Sequence, residues 1–266
     1  MRISIALITL NEEANLPRTL ESVMPLIANG NGEIIVVDSG STDRTLETAR
    51  SFGAKVFVEP WKGFAAQKNS AMEKASGDWV LQLDADEALE PMLTEEIMLA
   101  LASSPMQGFW IPRKNYFLGR WIRHGGFYPD RKLRLIRHGA GKFEEYGAHP
   151  TIKVNGPTGE LQHALVHNAY PTLRGYIDHM NSYSSSGAEV ATANGHRGFN
   201  LINIVLRPKL TFLYNYIFRL GFLDGREGFL LHVYHAVYVS WKYAKAWELA
   251  RKQSTTKDTK EHEGNP

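Results

Sequence analysis

Residues 79–87 read Trp79-Val80-Leu81-Gln82-Leu83-Asp84-Ala85-Asp86-Glu87, a mostly apolar run that passes directly into three carboxylates. A short apolar run of this kind is typical of a strand buried in a parallel sheet. Hard divalent cations prefer carboxylate oxygens and bind substrate phosphates beside their protein ligands. The stretch therefore predicts a buried strand with a metal site at its carboxyl end, although an isolated Asp-x-Asp pattern also fits a solvated acidic turn.

Three similar strands precede this one, and helical patterns separate them. The earlier strands are predicted at residues 3–8, 33–37 and 55–58. Pro91 stands where the helix after the fourth strand is expected to begin, because proline is favoured in a first helical turn. Strands that alternate with helices in this way predict right-handed βαβ units, and so an α/β fold with a mostly parallel central sheet.

Polar clusters stand at three of the strand ends, at residues 9–13, 38–43 and 84–87. Ligands of open α/β sheets bind beyond the carboxyl ends of the strands, so these clusters predict one shared site. Asp38 is placed to accept hydrogen bonds from a nucleobase or ribose, or alternatively to cap the next helix. Residues 9–13 contain no glycine, which argues against a dinucleotide-binding site or a P-loop.

The chain has 266 residues and no cysteine, which excludes disulfides, thiolate zinc sites and a cysteine nucleophile. Its first residues run straight into a strand and lack the basic and apolar regions of a signal peptide. No uncharged apolar stretch reaches the ~20 residues that a membrane-spanning helix needs. We therefore expect a cytoplasmic protein that is peripheral on a membrane.

Residues 113–142 form a basic region in which Asp130 is the only acidic residue. Aromatic residues are interleaved with its lysines and arginines. Such a surface suits a bound molecule that carries sugar rings together with phosphates or acidic groups. Nucleic acid is the competing partner, but no nucleic-acid-binding motif accompanies the charges, so we expect none.

Residues 199–247 mix apolar and aromatic residues with lysines and arginines. The uncharged runs at 210–218 and 228–241 are too short to span a bilayer. Amphipathic helices that lie in the membrane interface fit this pattern, and a helical subdomain packed on the rest of the chain, or forming a dimer, is the alternative. The polar residues after 252 predict a disordered tail.

Several of these stretches resemble the signatures of glycosyltransferase family 2, whose members have the GT-A fold. The three that carry the resemblance are residues 9–13 (Thr-Leu-Asn-Glu-Glu), 36–43 (Val-Val-Asp-Ser-Gly-Ser-Thr-Asp) and 83–87 (Leu-Asp-Ala-Asp-Glu). Residues 115–131, with His-Gly-Gly-Phe-Tyr-Pro-Asp-Arg at 124–131, and residues 219–228 are similar to the lipopolysaccharide core β-glucosyltransferase branch. The resemblance covers roughly residues 1 to 250.

The resemblance implies a domain organisation. Residues 1–195 are expected to form the GT-A catalytic domain, with the nucleotide-sugar side at 1–105 and the acceptor side at 106–195. Residues 196–252 are then the amphipathic helical region, and 253–266 the disordered tail.

The resemblance also implies roles for single residues. Asp84 is expected to help hold the nucleotide or ribose, and Asp86 to ligate a divalent metal, Mg²⁺ or Mn²⁺. Lys68 follows Gly63, and its spacing alone favours a surface lysine, whereas the family places a basic residue near the donor there. The other residues expected to hold the nucleotide are Thr9, Asn11, Glu13 and Asp38.

Family members invert the anomeric centre with a carboxylate as general base, and here the chain departs from its relatives. They carry a His-Glu pair where this chain has His149-Pro150, and proline accepts no proton. The remaining candidates for the base are Asp130, Glu144 and Glu145. Asp130 is favoured, with a structural salt bridge to Arg131 or Arg134 as the alternative.

Three histidines are further candidates. His149 is expected to contact the metal or a phosphate because of its place in the family pattern. His163 and His167 flank an apolar run and either face the site from a strand or are structural.

The expected function is inverting transfer of a hexose, glucose from UDP-glucose, onto a lipopolysaccharide core or a related surface glycolipid at the cytoplasmic face of the inner membrane. One alternative is a polyprenyl-phosphate glycosyltransferase, which shares the donor site. Another is a non-catalytic glycan- or lipid-binding protein on a degenerate transferase fold, since the usual His-Glu pair is missing.

Overall fold

The computed structural model describes residues 1–144 and 150–263, without the side chains of residues 29, 103 and 253–263. The helices are α1 (Leu16–Ile27), α2 (Thr45–Ser51), α3 (Phe64–Glu73), α4 (Pro91–Ser103), α5 (Leu173–Ala193), α6 (Arg207–Leu213) and α7 (Gly225–Glu263). The strands are β1 (Ile3–Thr9), β2 (Gly32–Asp38), β3 (Lys55–Val58), β4 (Trp79–Asp84), β5 (Glu87–Leu89), β6 (Gly108–Ile111), β7 (Arg113–Phe117), β8 (Arg120–Trp121), β9 (Lys132–Arg137), β10 (Gly141–Glu144), β11 (Thr151–Val154), β12 (Thr158–Glu160) and β13 (Leu165–Tyr170).

The chain divides into two compact units. The first contains residues 1–116 and 128–169, and the second contains 117–127 and the residues from 170 onward. The boundary differs from the expected one at residue 195, because α5 packs along α7 through residues such as Ala188, Val239 and Ala246. The amphipathic pattern of α5 shows that one of its faces is covered but does not show which element covers that face. A domain boundary derived from sequence alone therefore misses the packing of α5 on α7.

A seven-stranded sheet with the order β12-β6-β9-β4-β1-β2-β3 forms the centre of the first unit. β4, β1, β2 and β3 are parallel to one another, and β9 is antiparallel to its neighbours. This confirms the predicted α/β fold with a mostly parallel sheet. In a smaller sheet of this unit β13 lies between β5 and β7. Strands β10 and β11 form a separate two-stranded sheet.

The hydrophobic core explains why these segments become buried strands. Ile5, Leu7 and Leu81 are fully buried in the sheet, where they pack against Leu16 and Leu20 of α1. The spacing of the α1 residues places them on one helix face, as expected for a helix that covers a sheet. Fully burying a leucine or isoleucine side chain stabilises the fold by about 1.5–3 kcal/mol.

The register of the parallel strands positions the site. Thr9 pairs with Asp38, Ile8 with Asp84, and Asp38 with Val58. The carboxyl ends of β1, β2, β3 and β4 therefore lie side by side at one edge, as the sequence predicts.

Glu33 links several chain segments at the opposite, amino-terminal edge of the same sheet. Its carboxylate accepts hydrogen bonds from the hydroxyls of Ser4 and Ser76 and from the Ser76 backbone N–H, and it pairs with Lys55, each at 2.7 Å. Burial raises the pKa of Glu33, but hydrogen bonds from Lys55, Ser76 and Ser4 outweigh it and lower the pKa to about 2.

The second unit is helical. Phe117 and Ile122 pack against Tyr176 and Met180 of α5 and against Leu231 of α7. Before α7 the chain forms π-helical turns at Ile202–Leu206 and Tyr214–Phe218 and a 3₁₀ turn at Gly221–Asp224.

Helix α7 continues to Glu263, past residue 253, where the sequence predicts a disordered tail. No glycine or proline occurs from Phe229 to Glu263, so nothing in the backbone chemistry ends the helix earlier. Within the part of the chain that the structure describes, no helix has both the length and the apolar character to cross a membrane.

Replacing Glu33 tests the hydrogen-bonded cluster at the amino-terminal edge of the sheet. Because folding lowers the Glu33 pKa, its stabilisation is present above its ordinary pKa of 4.5 and is lost as the pH falls towards about 2. Glu33→Gln should lower the free energy of unfolding at neutral pH by up to about 3 kcal/mol and flatten its decline between those pH values.

Urea unfolding across that pH range is the measurement. Glu47→Gln, an exposed glutamate of α2, is the matched control and should leave the curve unchanged. If the free energies of unfolding of wild type and Glu33→Gln changed with pH in parallel, the proposed contribution of Glu33 would be contradicted.

Candidate functional site

The loops after β1 and β2 are held together around the buried carboxylate of Asp38. The Thr9 hydroxyl donates to Asp38 Oδ2 at 2.7 Å, and the Ser41 hydroxyl donates to the same atom at 2.5 Å. Asp38 Oδ1 accepts from the backbone N–H groups of Gly40 at 2.9 Å and Ser41 at 2.7 Å. Asp38 therefore shapes the loop that ends β2, in addition to standing where a nucleotide is expected.

Asn11 and Glu13 continue this connection. Asn11 has a φ of 56°, a left-handed conformation that asparagine tolerates better than most residues, and its Oδ1 accepts from the Thr42 backbone N–H at 2.9 Å. Glu13 Oε2 accepts from the Arg44 backbone N–H at 2.9 Å. The nucleotide-binding residues expected at the ends of β1 and β2 thus lie together, in two loops that side-chain contacts connect.

Glu12 is a site residue that the sequence reasoning passed over. Burial raises its pKa, and the nearby carboxylates of Asp86, Asp43 and Asp84 raise it further, against a lowering hydrogen bond from Asn15. The electrostatic coupling places Glu12 among the acidic groups of the strand ends. Its neighbour Glu13, which the resemblance favours, contacts Arg44. Sequence alone gives no signal that separates two adjacent glutamates in a loop.

Lys68 and Asp84 form an ion pair in which the lysine is buried and the aspartate is half-buried. Lys68 Nζ lies 2.5 Å from Asp84 Oδ1, and Lys68 is only 7% exposed. The surface position that spacing alone favours for Lys68 is therefore wrong, because α3 turns this side of the helix towards the end of β4.

Arg134 of β9 completes the surroundings of Asp84. One guanidinium nitrogen lies 2.5 Å from Asp84 Oδ2 and 2.8 Å from Glu87 Oε1, and another contacts Gln82 Oε1. Burial raises the pKa of Asp84, but the charges of Arg134 and Lys68 outweigh it and hold this pKa well below its ordinary value. Asp84 is therefore ionised at every physiological pH.

Arg113 links this group to Asp130. It donates to Glu87 Oε1 at 3.0 Å and lies 2.6 Å from Asp130 Oδ2, while Lys132 lies 3.0 Å from Asp130 Oδ1. Burial raises the pKa of Asp130, but Arg113 and Lys132 lower it to about 2. The alternative bridge partners predicted for Asp130 are wrong, since Arg134 pairs with Asp84 and Glu87, and Arg131 pairs with Glu160.

Part of the predicted basic acceptor surface is thus internal. Arg113 and Arg134 neutralise buried carboxylates, and Arg137 stacks on Trp79 and donates to the backbone carbonyls of Ser104 and Met106. A run of cations in sequence does not reveal which of them face carboxylates in the fold.

Asp86 faces His167 of β13 at the carboxyl edge of the sheet. Asp86 Oδ2 lies 3.2 Å from His167 Nε2, and the side chains are 26% and 16% exposed. On the far side of the ring, His167 Nδ1 lies 2.7 Å from Asn115 Oδ1, and Asn115 Nδ2 donates to Asp130 Oδ2 at 3.1 Å.

This chain of contacts orients the histidine ring. Because the Asn115 amide group donates to Asp130, its oxygen faces His167 and accepts the Nδ1 proton. His167 Nε2 is thereby directed at the Asp86 carboxylate, where a proton on Nε2 joins the two groups as an ion pair. The same nitrogen and oxygen are also atoms of the kind that bind a divalent cation, and the outer hydrogen bond to Asn115 orients the ring as in many metal sites.

No group of three or more histidine, aspartate or glutamate side chains is arranged to hold a metal within residues 1–144 and 150–263. Asp86 and His167 are two neighbouring candidate ligands there. Mg²⁺ and Mn²⁺ sites of nucleotide enzymes commonly take one or two protein ligands and complete their shell with substrate phosphates and water.

The other predicted site residues are placed as follows. His149 and Glu145 lie outside the described residues. His163 Nδ1 lies 3.0 Å from Glu96 Oε2, so this histidine pairs with α4. Glu144, at the end of β10, lies 2.5 Å from Lys153 Nζ and is 40% exposed.

Comparison with known proteins places the chain in a family. The glycosyl transferase family 2 model matches residues 4–153. Together with the parallel sheet and the acidic motif at its carboxyl edge, this match defines a GT-A glycosyltransferase. The chain belongs to glycosyltransferase family 2 and is an enzyme of the transferase class.

Individual relatives extend this comparison. The chain is 32% identical over 255 residues to the lipopolysaccharide core biosynthesis glycosyltransferase LpsC of Rhizobium meliloti (strain 1021), covering 92% of each chain. It is 39% identical over 94 residues to glucosyl-3-phosphoglycerate synthase of Mycobacterium tuberculosis (strain CDC 1551 / Oshkosh), covering 32% of this chain and 28% of the relative. The crystal structure of S. aureus TarS 1-349 aligns with a TM-score of 0.48 at 14% identity, over 96% of this chain and 92% of TarS.

Arg134→Met tests the buried ion cluster. Removing the cation leaves Asp84 and Glu87 undercompensated in the interior, so the free energy of unfolding should fall by about 3–5 kcal/mol. Denaturant unfolding at neutral pH measures this change.

Arg131→Met is the matched control, because Arg131 is 44% exposed and pairs with Glu160, which is 54% exposed. The control should change the stability by less than about 1 kcal/mol. Equal effects of the two substitutions on the free energy of unfolding would show that the cluster stabilises the fold no more than an exposed ion pair does.

Proposed function

We propose that this chain transfers glucose from UDP-glucose, with inversion, onto a lipopolysaccharide core or a related surface glycolipid at the cytoplasmic face of the inner membrane. The observation that carries the proposal is the Asp86–His167 pair, which lies at the same sheet edge as the loop around Asp38. A metal-binding pair next to a nucleotide-binding loop is what a nucleotide-sugar donor requires.

Two relatives support the proposed acceptor class and the proposed donor sugar. LpsC is similar over 92% of both chains, and its name assigns it to lipopolysaccharide core biosynthesis. The shorter similarity to glucosyl-3-phosphoglycerate synthase supports a glucosyl donor.

Asp86 and His167 are the proposed ligands of a divalent cation, Mg²⁺ or Mn²⁺. When bound, such a cation neutralises charge that develops on a diphosphate leaving group. Asn115 holds His167 in the tautomer that this requires, and Asp130 acts through Asn115 as a positioning residue.

Donor binding is proposed for the residues of the other strand ends. Asp84 keeps a partly exposed carboxylate between Lys68 and Arg134, which suits a hydrogen bond to ribose. Thr9, Asn11, Glu13 and Asp38 line the loops where the nucleotide is proposed to lie. Lys68 contributes positive charge beneath the phosphates while it fixes Asp84.

The general base is proposed among the carboxylates at and just after the end of β10. An acceptor hydroxyl has to lose its proton as it attacks the sugar, and a carboxylate with a pKa near 2 has little tendency to take it. Asp130 is held at that pKa by two cations, whereas Glu144 contacts one, Lys153, so Glu144 is proposed before Asp130. Glu145, which lies outside the described residues, is carried into the test beside it.

UDP release from purified protein over a panel of UDP-sugars tests the donor and the metal together. Turnover should be fastest with UDP-glucose, require Mn²⁺ or Mg²⁺, and stop with EDTA. Asp86→Asn should lower it at least about a hundredfold, because the stabilisation at risk is several kcal/mol.

Asp178→Asn, at a 73% exposed aspartate of α5, is the control and should retain full activity. Wild-type protein that neither binds UDP in a metal-dependent way nor turns over any UDP-sugar would refute the proposed function.

The assignment of the base is tested by comparing Glu144→Gln and Glu145→Gln with Asp130→Asn. The base variant should lose about 10²- to 10⁴-fold in kcat and lose the acidic limb of the pH–rate profile. Asp130→Asn should retain that limb and instead need more metal for half-maximal activity.

Circular dichroism checks that each variant is folded. Loss of the acidic limb in Asp130→Asn, with both glutamine variants active, would assign the base to Asp130.

A further inference from the structure

The second unit has a helical segment with two apolar faces, of which only one is covered. This segment, residues 201–218, comprises α6 and the π-helical turns on either side of it. Ile204, Pro208, Phe212 and Tyr216 face α7, where Phe212 and Tyr216 contact Phe229 at ring distances of 6.2 and 5.6 Å. This face explains how the segment is held in place.

The opposite face forms an exposed apolar stripe: Ile202, Leu206, Leu210, Tyr214 and Phe218. These side chains are between 46% and 76% exposed, and each stands four residues after the one before. On a surface helix of a water-soluble protein the face away from the core is normally polar. A contiguous exposed apolar surface of this kind marks an interaction site.

The π-helical turns keep the stripe straight. In an α-helix with 3.6 residues per turn, positions four apart drift steadily around the axis. A π-helical turn contains more residues and reverses the drift. With one such turn at each end, the five apolar side chains stay on one side along the whole segment.

The charges around the stripe have one sign. No aspartate or glutamate occurs between Glu189 and Asp224, whereas Arg197, Arg207, Lys209 and Arg219 do. Asp224 itself is 2% exposed and accepts hydrogen bonds from the backbone N–H groups of Arg123 and His124. Arg207 stacks on Tyr243 of α7, and Arg197, Lys209 and Arg219 are exposed. The exposed charges of this segment are therefore positive.

An open groove lies beside these residues. It has a volume of about 480 Å³ and runs between α6 and α7, where its walls include Pro208, Phe212, Phe229, Val233 and Lys209. An apolar groove with a lysine in its wall suits a hydrocarbon chain attached to an anionic head group.

We propose that the stripe is a membrane-docking surface that inserts its apolar side chains into a bilayer containing anionic lipid. Cations beside an apolar stripe match the negative head groups and the hydrocarbon boundary of such a bilayer. A second copy of this chain is a poorer occupant, because a two-fold interface between two stripes would bring together the like charges of residues 190–223. The inference rests on the proposed function only for its purpose, which is to meet a membrane glycolipid acceptor.

Vesicle flotation of the full chain tests the proposal, with vesicles of phosphatidylcholine alone or mixed with phosphatidylglycerol and with no donor or metal present. Wild type should float with the phosphatidylglycerol vesicles and release them as the salt concentration rises. The triple variant Leu206→Gln, Leu210→Gln, Phe218→Gln should bind at least about tenfold more weakly. Lys209→Glu should weaken binding about fivefold or more.

The matched control is Met92→Gln, Met98→Gln, Leu99→Gln, which removes three apolar side chains of α4 that are 53%, 46% and 75% exposed. It should float like wild type. Circular dichroism and metal-dependent UDP binding verify that both triple variants are folded.

Three outcomes would overturn the proposal: no flotation of wild type, equal flotation of wild type and the stripe variant, or a wild-type dimer in light scattering that the stripe variant abolishes without any vesicle binding. UDP release is measured separately and without vesicles. Failure of docking is therefore distinguishable from failure of the proposed transferase activity.

Discussion

The first unit depends on the neutralisation of carboxylates by cations in a buried to half-buried cluster at one edge of its sheet. Asp84, Glu87 and Asp130 are shared among Lys68, Arg113, Arg134 and Lys132 in a continuous chain of contacts. Each charge would be costly to bury alone, and each has a partner that is positioned by a different strand or helix. The cluster therefore ties β4, β5, β7, β9 and α3 together at the point where the site is formed.

The same cluster leaves Asp86 in a different situation from Asp84, although the two aspartates are only two residues apart. Asp84 contacts two cations of the protein, Lys68 and Arg134, whereas Asp86 contacts the His167 ring. An Asp-x-Asp pattern alone cannot distinguish these roles. The difference arises because neighbouring positions after a strand point in different directions and meet different elements.

Much of this architecture was predictable from sequence. The four parallel strands and the shared edge of Thr9, Asp38 and Asp84 follow from apolar runs that end in polar residues. His167 faces the site from a strand, which is one of the two positions that the sequence allowed for it. The burial of Lys68, the partners of Asp130 and the contact of His167 with Asp86 were not predictable, because each depends on contacts between residues far apart in the chain. The packing of α5 against α7 was not predictable for the same reason. Helix α7 extends beyond residue 253, because the polar residues there still favour a helix.

The two π-helical turns make the second unit sensitive to chain length in a way that its composition does not suggest. Loss or gain of one residue between Ile202 and Phe218 would rotate the following part of the segment by about 100° and carry half of the stripe towards α7. Exchanges among apolar residues leave the direction of the stripe intact. In this segment, spacing is therefore constrained more tightly than residue identity.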